Sequence, residues 1–196
     1  MMIIPTSNAA KHVGPAPTAA QTRVIAAALE LFSRNGVGGT SLQMIADEIG
    51  VTKAAVYYQY KTKDEIVLAA AEAELARVAD VVHVAEAESS PKRAREAALT
   101  GIVDLAVARR RSVGTILSDP VIGRLFAQHR AFRDVMHRLR KLLFGEESGS
   151  EARLRTAILV AAISGAVMHP FAVDLDDDVL RSELLRLARR FLGLPK

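Results

Sequence analysis

The chain has 196 residues, of which half are apolar and 24% charged, which is typical of a folded globular protein. It contains no cysteine, which excludes disulfides, thiolate metal sites and cysteine nucleophiles. The formal net charge is +4, but the five basic and five acidic residues between Gln21 and Leu68 cancel, so bulk charge alone does not indicate nucleic-acid binding.

Apolar residues recur at helical spacing and no alternating strand pattern of useful length is present, which predicts an all-α protein. Residues 1–17, with three prolines and little periodicity, are expected to form a mobile N-terminal arm. The alternative is a minor-groove arm, for which only Lys11 and His12 could serve. A first helix is predicted from Thr18 to Asn35, where Asn35-Gly36 stops it.

Hydroxyl caps and turn residues predict the boundaries of the following elements. Thr40 or Ser41 caps a second helix, which ends at Gly50. Thr52 caps a third helix, Lys53 to Tyr58, and a capping box at Thr62 opens a fourth that continues to about Ala85. After a loop at residues 86–92, further helices are predicted to about Arg111, from about Val121 to Phe144, from Glu151 to Pro170, and finally to about Phe191.

The stretch from Thr40 to Ile66 is the most informative part of the chain, because two short helices joined by a tight turn predict a helix-turn-helix. A short, rigidly held helix that displays Lys and Tyr outward suits a DNA major groove. Lys63 and the hydroxyl side chains would contact phosphates, whereas Lys53, Ala54 and Gln59 would read bases. The candidate DNA-binding residues are Thr40, Ser41, Thr52, Lys53, Ala54, Tyr57, Tyr58, Gln59 and Lys63.

The run TRVIAAALELFSRNGVGGTSLQMIADEIGVTKAAVYYQYKTKDEI, Thr22 to Ile66, resembles the N-terminal domain of TetR-family transcriptional regulators. It departs at Gln59-Tyr60, where the family more often has His-Phe, and we expect Tyr60 to be the buried aromatic there. The resemblance implies a DNA-binding domain at residues 18–63 and a helical ligand-binding and dimerisation domain at 64–196, with about nine helices in all. It also implies a homodimeric repressor that a small-molecule effector releases from operator DNA.

Two features of the C-terminal region bear on those implied roles. The small-residue helix at 151–170 and the amphipathic last helix suit a two-helix dimer seam, although both could pack within the monomer. The candidate interface residues are Leu154, Ile158, Ala161, Ala162, Gly165, Leu180, Leu184, Leu187 and Phe191. Candidate pocket residues, which could instead be ordinary core residues, are Leu75, Val78, Ile102, Leu117, Phe126, Phe132 and Met136. The scarcity of aromatics there favours an apolar, aliphatic effector.

Other classes of function have weaker support. No nucleophile elbow, catalytic triad order or paired carboxylates stand out, so we predict neither an enzyme nor a cofactor. His129 and His137 could share a metal with Asp134, but they lack the i, i+4 His pair of a zinc helix, and no metal is predicted. No apolar run reaches the ~20 residues that span a bilayer and the N-terminus is a poor signal peptide, so a cytoplasmic protein without a membrane partner is expected.

Overall fold

The computed structural model describes residues 17–110, 129–146 and 149–194. All regular structure in these ranges is helical, as the sequence predicts. No helix among the described residues combines the length and the apolar composition needed to cross a membrane. The described ranges contain eight helices, which are α1 (Ala19–Gly39), α2 (Leu42–Glu48), α3 (Lys53–Gln59), α4 (Lys63–Glu86), α5 (Pro91–Ala108), α6 (Arg130–Phe144), α7 (Ser150–Ala166) and α8 (Asp177–Phe191). The predicted arm lies outside the described residues except for Pro17.

Hydroxyl side chains cap the starts of α2, α3 and α4, as predicted. The Ser41, Thr52 and Thr62 oxygens accept backbone N–H groups of the first turns of α2, α3 and α4 at 3.1–3.2 Å. The full capping box predicted at Thr62 is not formed, because the Glu65 carboxylate accepts from the Lys61 N–H at 2.7 Å instead of from the Thr62 N–H.

The helical conformation of α1 is interrupted at Gly36, where the sequence predicts a stop. Gly36 leaves the helical conformation with φ 71°, but one more turn follows before α1 ends at Gly39.

The first hydrophobic core joins α1, α2, α3 and the N-terminal half of α4. Ile45, Ala46, Val56 and Ile66 are fully buried in it. The same core continues along α4 as far as Ala71, beyond the boundary expected at residue 63. The first turns of α4 therefore stabilise the helix-turn-helix, and the two cores meet within one continuous helix.

The second core is formed by the rest of α4 together with α5, α6, α7 and α8. Leu99, Val103 and Leu139 are among its fully buried side chains. The predicted pocket residues Leu75, Val78, Ile102, Phe132 and Met136 belong to this core or pack against it, whereas Leu117 and Phe126 lie outside the described residues. Leu75 is buried, so the alternative that it is an ordinary core residue applies to that position.

The candidate dimer residues divide into two groups. Leu180 and Leu184 are only 3% and 8% exposed and pack in the second core, so their assignment to a subunit interface was wrong. They form the stripe of the amphipathic α8 that faces its own chain. The remaining candidates are exposed, and they are Leu154, Ile158, Ala161, Ala162 and Gly165 on α7 and Leu187 and Phe191 on α8.

Candidate nucleic-acid interface

The turn between α2 and α3 fixes the angle at which α3 is presented. Gly50 adopts φ 68°, a conformation that glycine reaches without a steric penalty. The Val51 N–H donates to the Ala46 carbonyl at 3.0 Å, which closes the turn. Val56 of α3 then packs in the first core, with no exposed surface. The short α3 is therefore held by its neighbours, and one of its faces remains in solvent.

Two long basic side chains, one from α1 and one from α4, stabilise the helix-turn-helix through hydrogen bonds to backbone carbonyls. The Arg23 guanidinium of α1 donates to the Ile49 carbonyl at 3.2 Å, at the C-terminal end of α2. Lys63 Nζ donates to the Val37 carbonyl at 2.8 Å, and to the neighbouring carbonyl of Gly38 at 3.2 Å, at the end of α1. Cations favour the carbonyl-rich C-termini of helices. Arg23 thus links α1 to the end of α2, and Lys63 links the start of α4 to the end of α1.

The solvent face of α3 carries most of the predicted contact residues. Lys53, Ala54 and Tyr57 are exposed, and Tyr58 is 79% exposed, so both tyrosine hydroxyls can reach a ligand. Gln59 is half-buried. An ammonium group, a methyl group and two phenol hydroxyls on one short helix can provide both base contacts and phosphate contacts.

Thr40 does not belong to this exposed surface. It is 2% exposed, and its hydroxyl donates to the Gly36 carbonyl at 2.9 Å. Its predicted role as a DNA contact was wrong. Thr40 precedes Ser41, the cap of α2, and uses its hydroxyl to close the last turn of α1. Ser41 and Thr52 remain exposed while they cap α2 and α3. Each hydroxyl accepts a backbone N–H and so keeps its own proton for a phosphate oxygen.

Lys61 was not among the predicted contact residues, yet it belongs to this surface. Its Nζ lies 4.5 Å from the centroid of the Tyr57 ring and 5.9 Å from that of Tyr58. It also donates to the Tyr57 carbonyl at 2.9 Å. A cation at this distance from an aromatic ring is held by the ring quadrupole. The spacing of four residues between Tyr57 and Lys61 is the sequence signal that could have identified it.

A cleft of about 380 Å³ lies beside α3 and brings together residues from three helix starts. Ser41 and Gln43 form one part of its wall, and Lys53 and Lys63 another. Gln43 is a second residue absent from the prediction, and its amide donates to Asp47 at 2.7 Å. Two ammonium groups and a hydroxyl around one concavity suit a phosphate oxygen.

The buried aromatic expected at position 60 is present. Tyr60 is buried in the first core, and its N–H donates to the Val56 carbonyl at 2.9 Å. Burial raises the pKa of its phenol, so the side chain stays neutral. No group of three or more His, Asp or Glu side chains that could hold a metal ion occurs within residues 17–110, 129–146 and 149–194.

Comparisons with known proteins agree with this geometry. Residues 24–70 match the model of the family described as bacterial regulatory proteins, tetR family. A curated relative, the uncharacterized HTH-type transcriptional regulator YerO of Bacillus subtilis (strain 168), is 38% identical over 50 residues. That match covers 26% of this chain and 17% of the Bacillus protein.

Solved structures extend the similarity to nearly the whole chain. A bacterial regulatory protein in the tetR family from Rhodococcus RHA1 superposes with a TM-score of 0.69 at 21% identity, covering 92% of this chain and all of the other. SmeT, solved as a complex with triclosan, gives 0.66 at 19% identity, covering 88% and 91%. At these identities the similarity establishes a shared fold, and the match at residues 24–70 adds the sequence evidence. Residues 24–70 thus match the tetR family of bacterial regulatory proteins in sequence, and the chain as a whole shares its fold with solved structures of that description.

Proposed function

We propose that the protein is a sequence-specific DNA-binding regulator of transcription, a homodimeric repressor that releases its operator when a small apolar effector binds. The carrying observation is the exposed face of α3, where Lys53, Ala54, Tyr57 and Tyr58 project from a helix anchored in the first core. On this proposal the protein acts in the cytoplasm, where its operator lies.

The contacts divide by the chemistry of the side chains. Lys53 and Ala54, in the first turn of α3, are suited to a guanine edge and a thymine methyl respectively. The hydroxyls of Tyr57 and Tyr58 would bond phosphate oxygens and fix the register of the helix. Lys61 would hold the Tyr57 ring in place and add a positive charge near the backbone. Phosphate contacts of this kind make binding salt-dependent.

The homodimer is supported by apolar side chains that the single chain leaves in solvent. Leu154 and Ile158 of α7 are exposed, as are Leu187 and Phe191 of α8. Val179 of α8 adds to this surface. A closed two-fold pairing of these helices would cover the surface and present two copies of α3 to two operator half-sites.

Release by an effector is supported by the continuity of α4. Its N-terminal half belongs to the first core and its C-terminal half to the second. A ligand that favours one position of this helix in the second core would shift the population of helix-turn-helix orientations. SmeT, which shares the fold, was solved with triclosan, a small molecule. The expected pocket lies around Val78, Ile102, Phe132 and Met136, which are half-buried.

A mobility-shift titration of the full chain with the DNA upstream of its own gene tests the proposal. We expect a shift that weakens with salt and depends on sequence. Lys53→Ala should change the ranking of sites, whereas Tyr58→Phe should weaken all sites evenly. Arg93→Ala, at an exposed arginine in α5, serves as the control. The proposal fails if no sequence-dependent shift is seen, and the contact assignment fails if both variants behave like the control.

A further inference from the structure

A second concavity, remote from the helix-turn-helix, lies where α4 and α6 end and α5 begins. It is an open cleft of about 590 Å³ that includes Glu86, the last residue of α4. Glu86 lies about 35 Å along the α4 axis from Lys63, at a rise of 1.5 Å per residue. None of the predicted effector-pocket residues that the structure describes lines this cleft. Its volume is within the usual range of small-molecule sites.

The charged side chains of the cleft are mostly basic. Among the described residues, four cations, Lys92, Arg95, Arg138 and Lys141, line it together with one carboxylate, Glu86. Arg138 Nε donates to Glu86 at 2.9 Å, so that carboxylate is already paired. This pairing lowers the pKa of Glu86 and keeps it ionised.

Two of the four cations have no carboxylate partner within the described part of the chain. Arg95 donates to the backbone carbonyl of Leu143, which uses one of the five N–H donors of its guanidinium. Lys92 is exposed in the first turn of α5. That turn contains no acidic residue, although acidic side chains are the ones that a helix N-terminus favours. Glu86 and Glu146 pair with Arg138 and Lys141, so the charges of Lys92 and Arg95 are the ones that no described carboxylate balances.

The rest of the wall is apolar. Pro91, Leu142, Phe144 and Leu194 contribute hydrocarbon surface beside the basic groups. Leu142 and Leu194 are partly buried against the second core, so this surface is backed by packed side chains. The cleft thus combines a basic part, which would bind a negative head group, with an apolar part, which would cover a short hydrocarbon chain.

We propose that this cleft is a binding site for an amphipathic anion, a carboxylate or phosphate head group joined to a short apolar chain. The head group lies against Lys92 and Arg95, whose charges it neutralises. The apolar chain packs on Leu142, Phe144 and Leu194. A neutral or cationic ligand of the same shape leaves those two charges unpaired and is disfavoured.

The test is isothermal titration calorimetry of the full chain with octyl phosphate and octanoate as probes. Inorganic phosphate, octanol and octylammonium are the comparison ligands. Both anionic octyl probes should bind, and the comparison ligands should bind at least about tenfold more weakly, because each lacks either the charge or the apolar chain. The two probes also show whether a phosphate or a carboxylate is preferred.

Variants locate the bound probe. Lys92→Gln should weaken octyl phosphate about fivefold, the usual effect of removing one partly exposed ion pair. Arg93→Gln is the matched control, since Arg93 lies in the same turn of α5 and does not line the cleft. It should change the affinity by less than about twofold, which is the usual size of the effect of a surface substitution. Absence of binding, equal effects of the two variants, or equally tight binding of octylammonium would each overturn the proposal.

Discussion

The crossing of α4 and α5 leaves no room for a side chain at Gly101. A Cβ placed there would stand 2.6 Å from Cγ1 of Val81 and 3.3 Å from its Cγ2. Carbon atoms pack at about 3.5–4.0 Å, so one of the two helices has to shift. Val81 is β-branched and has one strongly preferred rotamer in a helix, which prevents it from simply turning away.

Two opposing terms determine the effect of Gly101→Ala. Replacing glycine by alanine inside a helix contributes up to about 1 kcal/mol of stability through propensity. Overpacking a filled contact costs about 1–3 kcal/mol. Because the closest approach is a full ångström below normal contact, the steric cost dominates. We expect the free energy of unfolding to fall by about 1 kcal/mol.

A double-mutant cycle measured by urea unfolding at one fixed protein concentration tests this sign. In the Val81→Ala background, the nearest remaining atom is Cβ of residue 81 at 3.5 Å, an ordinary contact. There Gly101→Ala should be neutral or stabilising, which gives a coupling of about 1–3 kcal/mol between the two sites. Stabilisation by Gly101→Ala in the wild-type background, or additive effects of the two substitutions, would refute the steric reasoning.

Three further predictions concern other contacts. Lys63→Met should lower the unfolding free energy by about 1 kcal/mol, because it removes the bonds to the end of α1; an unchanged midpoint in urea would contradict this. Leu187→Asp should dissociate the proposed dimer in analytical ultracentrifugation, whereas Ser182→Asp, also exposed on α8, should not. The Arg138 pair lowers the pKa of Glu86 below 4.5, so its stabilisation is present above about pH 4.5 and lost as pH falls. Glu86→Gln should therefore lose less stability than wild type in acid unfolding.

Local chemistry explains which features were predictable from the sequence. Caps and turns depend on residues three or four positions apart, so Ser41, Thr52 and Thr62 identified the starts of α2, α3 and α4 correctly. Because Tyr57 and Tyr58 are adjacent on one helix, at least one of them had to be exposed, and the structure exposes both. Thr40 was misassigned because a hydroxyl next to a cap can face either solvent or the preceding helix. Which of these two directions the Thr40 hydroxyl takes depends on the path of α1 after Gly36.

Tertiary contacts account for the features that the sequence did not predict. The cleft at the ends of α4 and α6 combines Glu86, Lys92 and Arg138, which are separated along the chain and share no local pattern. Lys63 is an exposed lysine by sequence, yet its partners are 25 and 26 residues away. Such pairings depend on how helices dock, and helical periodicity reports only which residues share a face.

The apolar face of α8 shows the same limit at the level of assembly. Leu180, Leu184, Leu187 and Phe191 follow one helical spacing, yet the first two pack in the second core and the last two are exposed. Periodicity cannot separate them, because a side chain that will face another subunit has the same composition as one that faces its own core. The change in burial along α8 means that a substitution at Leu184 acts on folding, whereas one at Leu187 acts on association. Measuring both unfolding and subunit exchange for these two positions therefore separates the stability of the fold from the stability of the proposed dimer.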